Sequence, residues 1–213
     1  MLKVAVLISG SGSNLQAILD CIASGVLKAE VCGVLSNKAE AYGLTRAVNQ
    51  DIPIAVISHK DFADREGFDA AMARQIDAWA PDVVVLAGFM RILTPQFVMH
   101  YEGRLLNIHP SLLPKYKGLH THKRALEAGD TEHGCSVHFV TPELDGGPVI
   151  AQAVVTVLPG DSEENLTERV HKSEHRLYPQ VLVWLANGDL VWRGNAPVYQ
   201  GQALTTPLRI AHC

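Results

Sequence analysis

From Val4 to Ile8 the chain is apolar at every position, so a strand there must be buried on both faces. Strands of that kind belong inside a parallel sheet, whose crossovers place helices on both sides. The sequence continues in that manner. Ser9-Gly10-Ser11-Gly12-Ser13-Asn14 is a small-residue turn, and Leu15, Ile18, Leu19 and Ile22 then recur at helical spacing. A second strand is expected over 29–35, a helix over 41–49 and a third strand over 53–57. Asp61 is a candidate N-cap for a helix to about Trp79, with Phe62, Phe68, Met72, Ile76 and Trp79 inward. Residues 82–88 form the most hydrophobic strand, expected near the centre, and a short helix from Pro95 to about Tyr101 leads to a strand ending in Asn107 and His109.

After a helix expected over 123–128, the pattern changes. Residues 134–140 alternate strictly, with Cys135, Val137 and Phe139 on one face and Ser136 and His138 on the other. A loop, Thr141 to Pro148, separates them from a strand over 149–157, close enough for antiparallel pairing. The expected fold is α/β: a doubly wound, mostly parallel sheet with an antiparallel addition near the C-terminal half. Ser162, Glu163 and Glu164 open a long helix with Leu166, Val170, Leu177, Val181 and Trp184 on its buried stripe, and Pro179 is expected to kink it. Asn187-Gly188 ends that helix, 189–193 reads as a short strand, and 194–213 carries no clear pattern.

At 213 residues one domain is the expectation. A net charge of −4 gives no global reason to expect nucleic acid, though a local phosphate pocket is compatible with it. Cys21, Cys32, Cys135 and Cys213 form no CxxC pair and read as free thiols of a reducing compartment. The apolar start is too short for a signal peptide or a membrane span, which places the protein in the cytoplasm with no membrane partner.

Three features carry chemistry. The turn before Asn14 offers backbone N–H groups at a helix N-terminus, which suit an anion. It lacks the Gly-Lys-Ser/Thr of a Walker loop, Leu15 stands where a dinucleotide fingerprint needs its third glycine, and Ser36-Asn37 replaces the ribose-binding acid. A single phosphate on a small ligand fits best; a tight turn without a ligand is the alternative. In Arg104-Leu-Leu-Asn-Ile-His-Pro-Ser-Leu-Leu-Pro114, period two puts Asn107 and His109 on one face, an amide and an imidazole suited to polarising a carbonyl. Pro110 turns the chain out of the strand there. Third, Asp145 sits in a Gly-Pro-bounded loop, and by itself reads equally well as an ordinary turn aspartate. His120 and His122 invite a metal, but no third ligand stands at a recognisable spacing, so none is expected. Arg65 opposes the dipole of its helix, so a partner is worth seeking.

Taken together, Ser9 to Asn14, Asn107-Ile-His-Pro-Ser-Leu-Leu-Pro114 and Leu144-Asp-Gly-Gly-Pro148 resemble the folate-dependent formyltransferases, over nearly the whole chain from Met1 to about Trp192. The glycine–serine turn ending in Asn14, with the chain length, points within that family to a small phosphorylated amine as acceptor. The resemblance implies a formyltransferase domain over 1–213: a phosphate-binding half (1–100), a folate-binding and catalytic half (101–192) and a tail (193–213). It implies 10-formyltetrahydrofolate as co-substrate and no metal, with glycinamide ribonucleotide as acceptor in purine synthesis. Gly12, Ser13 and Asn14 would receive the phosphate, with His171, Lys172, Ser173 and Glu174 on the same substrate. Met90, Arg91, Ile92, Leu93, Asn107, Thr141, Pro142, Glu143, Leu144 and Asp145 would hold the folate, with Arg65 near its benzoyl-glutamate tail. Asn107 and protonated His109 would stabilise an oxyanion, with Asp145 raising the pKa of His109. Two positions depart from the family pattern: His171 stands where glutamine is usual, and Lys117 where proline is common.

Two other readings stay open. One is a related formyl-folate enzyme, either a hydrolase or a transferase to another amine. The hydrolase should carry an N-terminal regulatory domain, for which there is no room before Lys3; a transferase to tRNA should carry a basic C-terminal domain. The other is a folate- or nucleotide-binding module without catalysis. Oligomeric state stays open between monomer and homodimer. The loops 115–119 and 141–147 are candidates for closure on substrate.

Overall fold

A computed structural model describes residues 1–210. Cys213, read above as a free thiol, lies outside the described residues; Cys21, Cys32 and Cys135 are free. Strand β1 (Leu2–Ile8), helix α1 (Ser13–Ala23), β2 (Ala29–Ser36), α2 (Tyr42–Val48) and β3 (Ile54–Val56) build one wing. Helix α3 (Arg65–Ala78), β4 (Val83–Leu86), α4 (Pro95–His100) and β5 (Leu105–His109) build the other. Then come α5 (Thr121–Glu127), β6 (Glu132–Phe139), β7 (Val149–Thr156), the long α6 (Glu163–Asn187), and the short strands β8 (Leu190–Arg193), β9 (Ala196–Tyr199), β10 (Gln202–Ala203) and β11 (Leu208–Ile210).

The main sheet has eight strands in the order β11-β7-β6-β5-β4-β1-β2-β3. From β5 to β3 every pairing is parallel, while β6 runs antiparallel to both β5 and β7. The expected mixed sheet is therefore present, with β4 central. The chain winds one way from β1 through β2 and the other way through β4, so the crevice between β1 and β4 is a topological switch point, where open α/β sheets bind ligands.

Alternation sorts the side chains into two cores. Val4, Val6, Ile8, Val137 and Phe139 pack with α1, α2 and α6 on one face; Ala5, Leu7, Val84, Leu86 and Leu105 pack with α3 and α4 on the other. Phe68, Met72 and Ile76 of α3 fill the second core, where truncating Phe68 to Ala would cost about 3–5 kcal/mol. No described helix is long and apolar enough to cross a membrane.

Two expectations need correction. Asp61 does not cap α3: it ends a short 3-10 turn, His59–Asp61, and Asp64 caps the helix by accepting from the Gly67 N–H at 2.7 Å. Both are aspartates with suitable sequence around them; Ser58 takes the earlier turn and leaves the helix start to Asp64. Phe62 thus precedes the helix and packs edge-on against Phe68. The stretch 194–210 is also more ordered than its pattern suggested. Gly194-Asn195 and Gln200-Gly201, all four at positive φ, are two-residue turns joining β8, β9 and β10 into a small antiparallel sheet. Pro197 within β9 disguises the strand. Strand β11 then adds to β7 in parallel. As for Pro179, α6 runs through it as one continuous helix.

Candidate functional site

The site lies at the β1/β4 switch point and spreads along β5. After β1 the chain makes its glycine turn, and Gly12 (φ +70°) stands at the head of α1. No side chain caps α1, so the first amides of the helix point outward uncommitted. Asn14, the second residue of α1, is buried. Its Nδ2 donates to Glu174 Oε2 at 3.0 Å, across 160 residues, while its Oδ1 has no partner among the described residues. Burial pushes the Glu174 carboxyl above the usual carboxylate range, with the Asn14 hydrogen bond opposing. One turn further along α6, the Tyr178 hydroxyl lies 3.0 Å and 3.1 Å from the Leu86 and Leu106 carbonyls, so the helix is anchored to both neighbouring strands.

Ser9, the first residue of the turn, joins it to the loop after β4. Its hydroxyl donates to Asn37 Oδ1 at 2.6 Å and accepts from the Met90 N–H at 2.8 Å. Beyond Met90, Asp69 of α3 accepts from the Thr94 N–H at 2.6 Å and so fixes the far end of the loop. Arg65, exposed at the head of α3, lies within electrostatic reach of Asp69. Met90, Ile92 and Leu144 are exposed apolar side chains. Arg91 and Leu93 are half-buried between them in sequence.

Asn107 and His109 do share a face, and the antiparallel β6 sets His138 directly opposite Asn107. Asn107 Nδ2 lies 3.2 Å from His138 Nε2, and His138 Nδ1 lies 2.9 Å from the Phe139 carbonyl. The only tautomer that satisfies both carries its proton on Nδ1 and accepts from Asn107 at Nε2. Burial also pushes the His138 pKa down, which keeps the ring neutral. The second Asn107 amide proton is then free to donate elsewhere.

His109 is enclosed by two loops. Its Nε2 lies 2.8 Å from the Tyr116 carbonyl and its Nδ1 3.5 Å from Asp145 Oδ2. Both ring nitrogens face acceptors, and only the imidazolium can donate to both. Asp145 is held in turn: Oδ2 accepts from the Gly118 N–H at 2.8 Å, and Oδ1 lies 4.0 Å from His138 Nε2. Asp145 and Tyr116 both occupy the left-handed region (φ +48° and +57°), a strain of about 1–2 kcal/mol per residue. Lys117 pairs with Glu143, so the 115–119 loop is tied to the 141–147 loop at its rim as well. Thr141 and Pro142 border that second loop.

Not every residue of the sequence reading converges. Of the segment 171–174, only Glu174 touches the glycine turn. Ser173 is buried and back-bonds to the Arg169 carbonyl, Lys172 pairs with Glu168 on the exposed side, and His171 is exposed within electrostatic reach of Glu174 and His122. Their shared sequence neighbourhood breaks up because a helix turns 100° per residue. His122 meets His133, Nδ1 to Nε2 at 3.1 Å; burial pushes both down to about 4. Among the described residues no third His, Cys, Asp or Glu completes a metal set there.

Sequence reasoning gave no separate role to His138, Tyr116 or the Ser9 hydroxyl. For His138 a signal existed: it alternates with Val137 and Phe139 and so must leave the core face. The missing piece was its partner strand. Tyr116 acts through its carbonyl, which no side-chain motif encodes.

The model of the family described as formyl transferase matches residues 2–182. Phosphoribosylglycinamide formyltransferase of Escherichia coli (strain K12) is 58% identical over 203 residues, covering 95% of this chain and 96% of that protein. The trifunctional purine biosynthetic protein adenosine-3 of Drosophila melanogaster is 54% identical over 188 residues, covering 87% of this chain and 14% of that one. Among solved structures, the phosphoribosylglycinamide formyltransferase of Coxiella burnetii in complex with CHES superposes with a TM-score of 0.93 at 50% identity, covering 97% of this chain and 99% of that one.

Proposed function

The chain belongs to the formyl transferase family as a phosphoribosylglycinamide formyltransferase, and from that premise we propose how its own residues act. It transfers the formyl group of 10-formyltetrahydrofolate to the primary amine of glycinamide ribonucleotide, a step of de novo purine (IMP) synthesis. The observation that carries this reading is the convergence of Asn107, His109 and Asp145 at the end of β5, on the same sheet as the uncapped head of α1, whose turn is tied to the loop after β4 through Ser9 and Met90.

The phosphate of the acceptor sits on the amides of Gly12, Ser13 and Asn14, where the helix dipole and free N–H groups favour negative charge. Glu174 and the unpartnered Asn14 Oδ1 face its ribose or amine, with His171, Lys172 and Ser173 contributing the surrounding helix. The folate lies along Met90 to Leu93 and Thr141 to Asp145, with Glu143 at the rim and Arg65 toward its tail. The neutral amine attacks the formyl carbon, and the carbonyl oxygen takes up negative charge. Asn107 donates its free amide proton to that oxygen, the amide being oriented by His138. His109 donates as imidazolium, so the oxygen competes with the Tyr116 carbonyl for the Nε2–H. Fixed donors of this type are worth roughly 3–4 kcal/mol each. The C–N10 bond then breaks, N10 leaves with a proton, and the amine loses one through Asp145, His109 or a water.

No metal takes part in this scheme. The protein works as a monomer or homodimer in the cytoplasm, on small molecules alone. The test is formyl transfer from 10-formyltetrahydrofolate to glycinamide ribonucleotide, measured beside folate hydrolysis without acceptor. Transfer should dominate. Dominant hydrolysis would replace the amine by water and remove the phosphate assignment at residues 12–14.

A further inference from the structure

The glycine turn is gripped from outside by α2. Gly43 donates its N–H to the Gly10 carbonyl at 3.0 Å, and a Cβ on Gly12 would fall 2.6 Å from the Gly43 Cα, so turn and helix touch backbone to backbone. One helical turn later, Arg46 reaches the same segment. Its Nε donates to the Ser11 carbonyl at 2.8 Å and its Nη1 to Gln16 Oε1 in α1 at 3.0 Å. The guanidinium carbon lies 4.9 Å from the centroid of the Tyr42 ring. Arg46 therefore brackets residues 11–16 from both ends. Its hydrogen-bond partners are a carbonyl and a side-chain amide, neither of them charged, so its charge is not cancelled by a carboxylate at contact distance.

Two independent features mark the turn as incomplete without a ligand. The head of α1 carries no side-chain cap, and the buried Asn14 keeps its Oδ1 unpartnered. A helix end offers only about half a unit of positive charge, whereas a phosphate monoester carries about −1.5 to −2 at neutral pH. A fixed cation beside the turn supplies the difference, and a planar guanidinium locked by two hydrogen bonds and a ring holds that charge in place.

We propose that Arg46 is the positioning residue and counter-charge of the phosphate-binding turn, and that through it the enzyme prefers phosphorylated acceptor amines to unphosphorylated ones. This rests on the phosphate assignment above. The test compares glycinamide ribonucleotide with its dephosphorylated riboside as acceptors for wild type, Arg46→Gln and Arg46→Lys. Arg46→Gln should raise the KM for the ribonucleotide about tenfold or more, as expected for loss of a charge-assisted contact. Its kcat, its KM for 10-formyltetrahydrofolate and its kinetics with the riboside should stay within about twofold of wild type. Arg46→Lys, which keeps the charge but not the fork, should recover part of the loss. An equal loss with both acceptors, or no loss in either variant, overturns the proposal, the first outcome reducing Arg46 to a structural brace. Should Arg46→Gln fail to fold, Arg46→Lys decides by the same ratio. A wild-type enzyme indifferent to the phosphate would instead overturn the phosphate assignment itself.

Discussion

The glycine turn and the His109 corner, at the ends of β1 and β5 with β4 between them, are built on opposite plans. The turn is backbone on a rigid frame: β1 leads in, α1 leads out, and Gly43, Arg46 and Ser9 lock it from three sides. Its chemistry resides in backbone amides at a helix head that no side chain caps. The corner is the reverse. His109 ends a strand, but everything that orients it comes from two loops, through the Tyr116 carbonyl and the Asp145 carboxylate, and both of those residues hold strained backbone. A frame of that kind can hold a substrate without moving. A corner of that kind can yield a hydrogen bond to the reacting oxygen and recover it afterwards. Binding and chemistry are thus separated: changes in the turn should appear in KM, and changes in the corner in kcat.

The strongest challenge to that division is Asp145→Asn. The amide can still accept from Gly118, so the loop should stay folded, but His109 loses its carboxylate. The kcat should fall by about 10²- to 10⁴-fold, the range for a lost acid–base group, with the KM for either substrate little changed. Presteady-state transfer rates would read this directly, and a loss confined to KM would break the comparison.

A smaller effect is expected from Ser9→Ala, at the junction of the glycine turn and the loop after β4. It strands the buried Asn37 side-chain Oδ1 and the half-buried Met90 N–H. The stranded Asn37 oxygen alone costs about 1–3 kcal/mol, so the thermal midpoint should drop. Because the serine serves the turn and the folate loop together, both KM values should rise while kcat holds. A rise in one alone would show that the two loops are independently supported.

The gentlest test is acidification. His122 and His133 have ordinary values near 6.5 that burial lowers to about 4 in the fold. The unfolded chain therefore binds more protons than the native one between those values. The stability from this pair is complete above about pH 6.5 and is lost as pH falls toward 4. His122 belongs to α5, which follows the 115–119 loop, so hydrogen exchange there should rise on acidification while α1 stays protected. His133→Asn should flatten that dependence. Equal loosening of both regions would erase the contrast.

Much of this could be read from the residues. Buried runs and helical spacing located β1, α1, β2, β4 and α6 to within a residue or two, because a strand with two buried faces has one sequence signature. The hairpins at Gly194-Asn195 and Gln200-Gly201 were legible in principle, since consecutive positive-φ positions favour such residues; the short strands around them, one holding Pro197, drew attention away. The cap of α3 went astray because Asp61 and Asp64 differ only in which N–H groups surround them, and that is decided by the fold.

The sequence by itself determined the strand–turn–helix at the amino end, the common face of Asn107 and His109, and the set of groups able to polarise a carbonyl. These follow from periods of two and 3.6 residues and from the chemistry of single side chains, all local properties. Only the tertiary structure decided that His138 orients Asn107, that the Tyr116 carbonyl occupies His109, that Asn14 meets Glu174 across 160 residues, and that Arg46 grips the turn. Each of those depends on strand order and register. A period says which face a side chain takes but never which strand lies opposite it.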